Sequence, residues 1–275
     1  IRVKPWGAHG LAFLSGRWGG RFHYEVKAQL VTNSDPMAGR LDVVVALCAV
    51  GVTFAVSLGM WSSKVGTGLP MSVPFSWHPV LMTLGYASFM TLGRWAYLAD
   101  PSEKLGTADL QGRRLVHRTC MTLASMAALA GYGAIFYAHW PSRQYLGYSF
   151  VKGQWSERRR VAHVCIGYTL LVLVAAQAHM GFQKYRTLQN GGPRIFQFHG
   201  YLGKGIIALS TVEILLATWF WAWGARLKVV VAVLTVACGL FGACVPRPLP
   251  ENAVTDCSLA QDETEIAPVV VGGAV

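Results

Sequence analysis

Six long apolar segments dominate the pattern of hydrophobic and polar positions along the 275-residue chain. Each is close to the ~20 residues that an α-helix needs to cross the hydrocarbon core of a membrane. Most prolines fall in the connections, as expected of a residue that breaks helices. The segments run approximately over residues 41–61, 77–98, 115–138, 161–183, 198–223 and 227–245. The pattern therefore predicts an all-α integral membrane protein with six transmembrane helices.

Composition supports a membrane location. The chain is 53% hydrophobic and only 13% charged, whereas soluble domains carry roughly 25% charged residues. We assign the net charge of +11 to loops on one side of the membrane and to contact with anionic lipid, not to nucleic acid. None of the six cysteines falls in a C-x-x-C-H pattern, which excludes covalent haem attachment of the c type.

The apolar segments divide the chain into three regions. Residues 1–40 are basic and poor in acids, which predicts a solvated N-terminal arm; a remnant of an organellar targeting region or an arm that docks on a partner are alternatives. Residues 41–245 form the predicted transmembrane domain. Residues 246–275 form an acidic tail, which we expect to be extended against a basic surface.

Four histidines each lie near the start of their own apolar segment: His78, His117, His163 and His199. Successive helices cross the membrane in opposite directions, so His78 and His163 belong near one face, called X. His117 and His199 belong near the opposite face, called Y, which also holds both termini. Imidazole on both sides of a haem is the axial ligation of many b-type cytochromes. We therefore predict a central four-helix bundle with two haems b, one iron held by each pair.

Glycines share the faces of these histidines. At ~100° per residue, positions 4, 7, 14 and 18 after a helical residue point within ~40° of its direction. A haem edge that lies against a helix needs a position without a side chain, which glycine provides. Close packing between helices is the alternative explanation for these glycines. The predicted haem-lining glycines are Gly85, Gly131, Gly167, Gly181 and Gly203.

Two polar residues also follow this geometry. Gln177 lies fourteen residues after His163, and Glu213 lies fourteen after His199. Each is therefore predicted to approach the opposite haem level, ~21 Å along its helix. A buried acid in a membrane is a candidate functional group. Glu213 is expected to hydrogen-bond a ligand imidazole or carry a proton, with a satisfied structural acid as the alternative.

The remaining histidines of the apolar segments are weaker candidates. His139 follows His117 by twenty-two residues and lies at the X end of its helix. It is the rival ligand for the X haem, or a residue that binds substrate at the haem edge. His179 follows His163 by sixteen residues and points ~160° away, so it is expected to leave the bundle core.

Basic residues cluster at both predicted haem levels. Such clusters suit haem propionates and anionic reductants through charge-assisted hydrogen bonds, with contact to lipid phosphates as the alternative. Arg94 and Arg118 are the cofactor-binding candidates among them. Most Lys and Arg fall on the Y side, which places the termini in the cytoplasm or the equivalent organelle compartment. The Y cluster comprises Arg94, Arg113, Arg114, Arg118, Lys184, Arg186 and Lys204, and the X cluster comprises Arg158, Arg159 and Arg160.

The residues around the four histidines resemble the cytochrome b561 family, and most closely the domains fused to a DOMON domain. The shared features are His78-Pro79, His117, His163-x-x-x-Gly167 with Gln177 beyond, and His199-x-x-x-Gly203. The resemblance covers roughly residues 41–245. It implies six helices, two bis-histidine haems b and electron transfer from ascorbate to monodehydroascorbate or ferric iron on the opposite side. The first 40 residues are too few for a DOMON domain.

The predicted function is transmembrane electron transfer, as an oxidoreductase of the ascorbate or ferric reductase type with no catalytic side chain assigned. The donor is an anionic, ascorbate-like molecule or an electron-transfer protein, and the acceptor is monodehydroascorbate or ferric iron. The alternative is an accessory subunit, haem-containing or a scaffold, of a larger respiratory or photosynthetic complex in an organellar inner membrane. The chain is expected to contact membrane lipid, and also a second copy of itself or the other subunits of a larger membrane complex.

Overall fold

The computed structural model of the protein describes residues 38–97, 110–193 and 195–244. The predicted acidic tail and nearly all of the predicted basic arm lie outside these residues. We therefore describe the transmembrane domain alone.

Seven α-helices and two π-helical segments make up nearly all of the regular structure described. The second predicted span is a continuous helix from Pro74 to Trp95, divided by a π-helical segment. The connection between the fourth and fifth helices folds into a small sheet. In chain order the elements are α1 (Ala38–Trp61), α2 (Pro74–Thr83), π1 (Leu84–Phe89), α3 (Met90–Trp95), α4 (Leu110–His139), β1 (Gln144–Tyr145), β2 (Tyr148–Ser149), β3 (Gln154–Trp155), α5 (Arg158–Gln189), α6 (His199–Phe220), α7 (Ala225–Gly239) and π2 (Leu240–Cys244).

Five helical segments within the described residues are long and apolar enough to cross a membrane, the last of them formed by α7 together with π2. The remaining predicted span, the second, is present as α2, π1 and α3, and its apolar run is less hydrophobic than those of the other five. The predicted all-α membrane fold is confirmed. The helix α5 extends beyond the predicted limits of 161–183, to Arg158 and Gln189. Its added turns are polar, so they continue the helix past the apolar stretch.

The core of the bundle lies between the two levels of histidines. Small and branched apolar side chains from the second, third, fourth and fifth spans fill it, and no charged residue belongs to this cluster. The exterior is apolar too: Leu47, Leu129 and Val172 are each more than 60% exposed. Exposed apolar side chains all around a bundle are typical of helices surrounded by lipid. The buried cluster comprises Tyr86, Met90, Ala124, Ala128, Leu170, Val174, Ile206 and Ile207.

Polar contacts attach α1 to the second span. Thr53 Oγ1 lies 2.7 Å from Ser88 Oγ, and the indole N–H of Trp95 donates a short hydrogen bond to the carboxylate of Asp42. Asp42 is only 2% exposed. A carboxylate at such a depth is costly unless it accepts hydrogen bonds, so the Trp95 contact helps to fix α1 against α3.

A three-stranded antiparallel sheet, in the order β1-β2-β3, covers the X end between α4 and α5. The apolar pattern gave no indication of it. Tyr145 pairs with Tyr148, which in turn pairs with Trp155. Directly paired residues project to the same face of a sheet, so these aromatic rings form one surface. Tyr145 stacks on Phe136 of α4, with ring centres 5.8 Å apart.

Candidate functional site

The four candidate histidines form two pairs, and the partners are those that helix direction predicts. The rings of His78 on α2 and His163 on α5 have centres 6.2 Å apart, with planes inclined by 88°. The rings of His117 on α4 and His199 on α6 have centres 6.4 Å apart, with planes inclined by 74°. The four helices thus bring two imidazoles together at each of two levels.

The separation of the rings suits one metal ion between each pair. With a metal–nitrogen bond of about 2.0 Å and a ring centre about 1.2 Å beyond each nitrogen, two opposed imidazoles have centres about 6.4 Å apart. Within the described residues, no three or more His, Cys, Asp or Glu side chains form a group that could hold a bare metal ion. A macrocycle that supplies four equatorial nitrogens needs only two axial ligands, so the paired histidines fit haem iron.

Backbone carbonyls orient one histidine at each level. The Nδ1–H of His78 donates to the carbonyl oxygen of Gly131, at 3.0 Å. The Nδ1–H of His117 donates to the carbonyl oxygen of Gly93, at 2.9 Å. A carbonyl only accepts, so this contact assigns the proton to Nδ1 and leaves the Nε2 lone pair for a metal. Such outer hydrogen bonds accompany almost all metal-binding histidines.

A carboxylate approaches the third histidine. Oε1 of Glu213 lies 2.6 Å from Nδ1 of His163. The two atoms are within hydrogen-bonding distance, but their angles are not those of a hydrogen bond, and neither has another partner in the described residues. At 2.6 Å the carboxylate can accept the Nδ1–H of His163 when the ring is turned towards it. Glu213 is 7% exposed, and a Cβ on Gly167 would lie 3.6 Å from its Oε1.

The fourth histidine is held through its backbone. Nε2 of Gln177 donates to the carbonyl oxygen of His199, at 2.7 Å. Nδ1 of His199 is buried and has no hydrogen-bond partner in the described part of the chain. Gly181 lies against the ring, since a Cβ there would be 3.3 Å from Cε1 of His199. A Cβ on Gly203 would lie 3.1 Å from Nε2 of Gln177. Three predicted glycines, Gly167, Gly181 and Gly203, therefore lie beside the candidate ligands or their supports.

The two levels are linked by a common arrangement. Each span carries one histidine and, fourteen or fifteen residues further on, a group that contacts a histidine of the other level. This spacing corresponds to ~21 Å along a helix. The structure places Gln177 next to His199 and Glu213 next to His163. The ligand and support on each span are His78 and Gly93, His117 and Gly131, His163 and Gln177, and His199 and Glu213.

A cavity of about 490 Å³ surrounds the X pair. His78, His163 and Glu213 line its inner part, while Gln144 and Tyr145 of the sheet line its outer part. The volume lies within the ~300–1,000 Å³ that is usual for cofactor sites. The residues present therefore fit a haem at this level, in ligands, outer hydrogen bonds and space.

Two predicted haem-lining glycines have a different role in the structure. A Cβ on Gly85 would lie 2.9 Å from the carbonyl oxygen of Ala124, and one on Gly131 would lie 3.2 Å from Cβ of Leu81. Both positions lie where the second span meets α4, and neither lines the X cavity. The packing alternative accounts for them, because two helices approach here too closely for a side chain. Gly131 still contributes its carbonyl oxygen to His78.

The two predicted basic cofactor-binding residues contact protein groups. Nε of Arg94 donates to the carbonyl oxygen of Gly242, at 3.0 Å. The guanidinium of Arg118 lies over the ring of Tyr185, 4.5 Å from its centre, and the residue is exposed. A role in haem binding stays a prediction for both.

His139 lies at the mouth of the X cavity. Its Nδ1–H donates to the carbonyl oxygen of Ile135, at 3.2 Å, and its ring centre is 6.1 Å from that of Phe75. His163, not His139, lies opposite His78, so the structure favours a position at the cavity mouth over a role as the rival ligand. His179 is exposed, as expected from its direction.

Several cavity residues were not predicted from the sequence. Tyr86 is buried and its hydroxyl has no hydrogen-bond partner in the described residues. The hydroxyls of Tyr132 and Tyr168 lie 3.3 Å apart on the wall formed by α4 and α5. Tyr86 follows His78 by eight residues, ~80° from its direction, outside the window used for prediction. The sheet residue Gln144 could have been suspected only from the turn signals at Gly147 and Gly153.

The fold and the paired histidines define a class of protein, the membrane helix bundle that can hold iron between imidazoles. The sequence model of a family described as eukaryotic cytochrome b561 matches residues 77–223, which contain all four histidines. The match covers more than half of the chain, and the chain belongs to the cytochrome b561 family. No curated protein matches it at a significant level. Family membership gives haem b as cofactor, an integral membrane location and electron transfer across the membrane as function.

Proposed function

We propose that the protein passes electrons across the membrane through two haems b, one at each level. His78 and His163 would hold the iron at the X level, and His117 and His199 the iron at the Y level. The observation that carries the proposal is the pair of ring separations, 6.2 Å and 6.4 Å, at two levels of one bundle. A single pair would serve only one side, whereas two levels supply a site near each face.

The residues between the two levels support this proposal. When bound between the paired histidines, haem b would supply an iron that alternates between ferric and ferrous states. Leu170, Val174 and Ile206 occupy the space between the levels and are at most 8% exposed. They exclude water along the route, so little solvent has to reorganise when charge moves. The carbonyls of Gly93 and Gly131 hold the ring orientations fixed during the same process.

We propose an anionic, ascorbate-like molecule or an electron-transfer protein as donor on the Y side. Basic side chains at the Y ends of α4, α5 and α6 support this choice, because they would attract an anionic donor. Arg114 and Arg118 are exposed at the start of α4. Monodehydroascorbate or ferric iron on the X side is the corresponding acceptor. A haem held in the X cavity would lie beside His139 and the sheet residue Gln144, which also line it, and these residues would be the ones that contact an acceptor on the X side.

Haem counting tests the central part of the proposal. We expect two haems per chain in the purified protein, measured from the reduced-minus-oxidised spectrum and the extracted haem. His163→Ala and His199→Ala should each lower the content to one, because each removes one ligand of a different iron. His179→Ala is the matched control and should retain both. One haem in the unmodified protein, or two in His163→Ala, would contradict the assignment.

The donor is tested separately in proteoliposomes. Ascorbate added to the side that holds the Y face should reduce both haems, and an impermeant ferric chelate on the other side should reoxidise them. A protein whose two haems stay oxidised in ascorbate, but are reduced by dithionite, would require a different donor and would leave the haem assignment intact.

A further inference from the structure

The supports of the four histidines are not equivalent. At the Y level the supports are a carbonyl oxygen, from Gly93, and the neutral amide of Gln177. At the X level they are a carbonyl oxygen, from Gly131, and the carboxyl group of Glu213. Only one of the four supporting groups can therefore carry a charge, and it lies at the X level.

The carboxyl group of Glu213 has no alternative partner in the described part of the chain. Both of its oxygens are buried, and within the described residues their polar contact is that of Oε1 with Nδ1 of His163, at 2.6 Å. The ion pair that Glu213 forms among the described residues is with His163, and not with a Lys or Arg side chain. Gly167 leaves space on the facing helix for the carboxyl group. A buried acid that contacts a single group acts mainly on that group.

We propose that Glu213 is a positioning residue that accepts the Nδ1–H of His163 and lowers the reduction potential of the X haem. The inference rests on the two-haem function proposed above. A carboxylate, an imidazole and a metal in series form a known arrangement that fixes the ring and makes the ligand more basic. A more basic ligand and a nearby negative charge both stabilise ferric iron over ferrous iron.

The consequence is a difference between the two haems. Bound haems would exchange one electron between the two levels, and Glu213 would hold the Nδ1 proton of His163 in place while they do so. At the Y level His117 has a neutral carbonyl partner, and Nδ1 of His199 has none in the described residues. With the carboxylate of Glu213 as its support, the X haem would have a lower reduction potential than with a neutral support. It would therefore be a stronger reductant towards its acceptor.

Potentiometric titration of the Glu213→Gln protein tests this inference. Glutamine keeps the size and an accepting oxygen and removes the charge. At a fixed potential, the oxidised-to-reduced ratio of one haem should fall by about tenfold, the lower end of the ~10–100-fold effect that such outer contacts have on metal affinity or activity. For one electron this is an upward shift of about 59 mV in one of the two steps. The ferric low-spin EPR signal of the same haem should change with it.

Two further variants separate charge from packing. Glu213→Asp keeps the charge at a slightly greater distance, so its shift should be smaller than that of Glu213→Gln. Thr211 lies on the same helix as Glu213 but faces α7 at Gly239. The Thr211→Val protein should therefore keep the reduction potentials of both haems unchanged. Two haems with unchanged potentials in Glu213→Gln would overturn the inference and leave the proposed function standing. A single haem in the unmodified protein would instead overturn the proposed function.

Discussion

Gly181 offers a direct test of how closely the bundle surrounds the Y site. A Cβ at this position would lie 3.3 Å from Cε1 of His199. Alanine needs only a movement of a few tenths of an ångström, and its better helix propensity, up to about 1 kcal/mol over glycine, opposes that cost. Valine adds two methyl groups against the ring and costs about 1–3 kcal/mol by overpacking. Because each 1.4 kcal/mol is about tenfold, haem binding at the Y level should weaken by about 5–150-fold in Gly181→Val.

The assay is haem content and the reduced-minus-oxidised spectrum after passage through a haem-free buffer. Gly181→Val should retain close to one haem per chain, and Gly181→Ala close to two. Gly133→Val is the matched control, since a Cβ on Gly133 meets nothing within 4 Å. If Gly181→Val retains both haems with an unchanged spectrum, the ring of His199 is not confined as the structure indicates, and the steric reasoning is refuted.

Two more predictions concern close contacts between helices of the bundle. Gly93→Val should push α3 away from α4 and weaken the hydrogen bond from His117, so haem loss at the Y level should accompany a lower unfolding temperature in detergent. Retention of both haems at the original unfolding temperature would contradict it. Trp95→Phe should leave the carboxylate of Asp42 without its donor and cost about 1–3 kcal/mol of stability. Thermal unfolding measures this, with the 70% exposed Trp219 replaced by Phe as control; equal stability of the two variants would sink the argument.

The pairing of the histidines could be predicted because it depends on two properties that a sequence displays. Helix direction alternates from span to span, and position along a helix follows from counting residues. His78 and His163 are at helix starts two spans apart, so they had to share a level. The same counting placed Glu213 near His163. These predictions needed no knowledge of side-chain packing.

The two backbone supports, at Gly93 and Gly131, could not be predicted in the same way. The acceptors of the Nδ1 protons of His78 and His117 are backbone carbonyls, which every residue has, so Gly93 and Gly131 carry no distinctive sequence signal. The direction in which a helical residue points also cannot distinguish a glycine beside a cavity from one beside a neighbouring helix. For this reason Gly85 was predicted to line a haem but packs against α4. The sheet over the X end was missed because its strands are only two residues long, too short for an alternating pattern.

The π-helical segment of the second span explains the one irregular spacing in the bundle. On α4, α5 and α6 the support follows the ligand by fourteen residues, but Gly93 follows His78 by fifteen. Fifteen residues of uninterrupted α-helix would turn Gly93 ~60° from the direction of His78, compared with ~40° for fourteen. A π turn is closed by i→i+5 bonds and takes up one more residue than an α turn. The segment Leu84–Phe89 lies between ligand and support, so it absorbs the extra residue and returns the Gly93 carbonyl to the face where His117 can reach it.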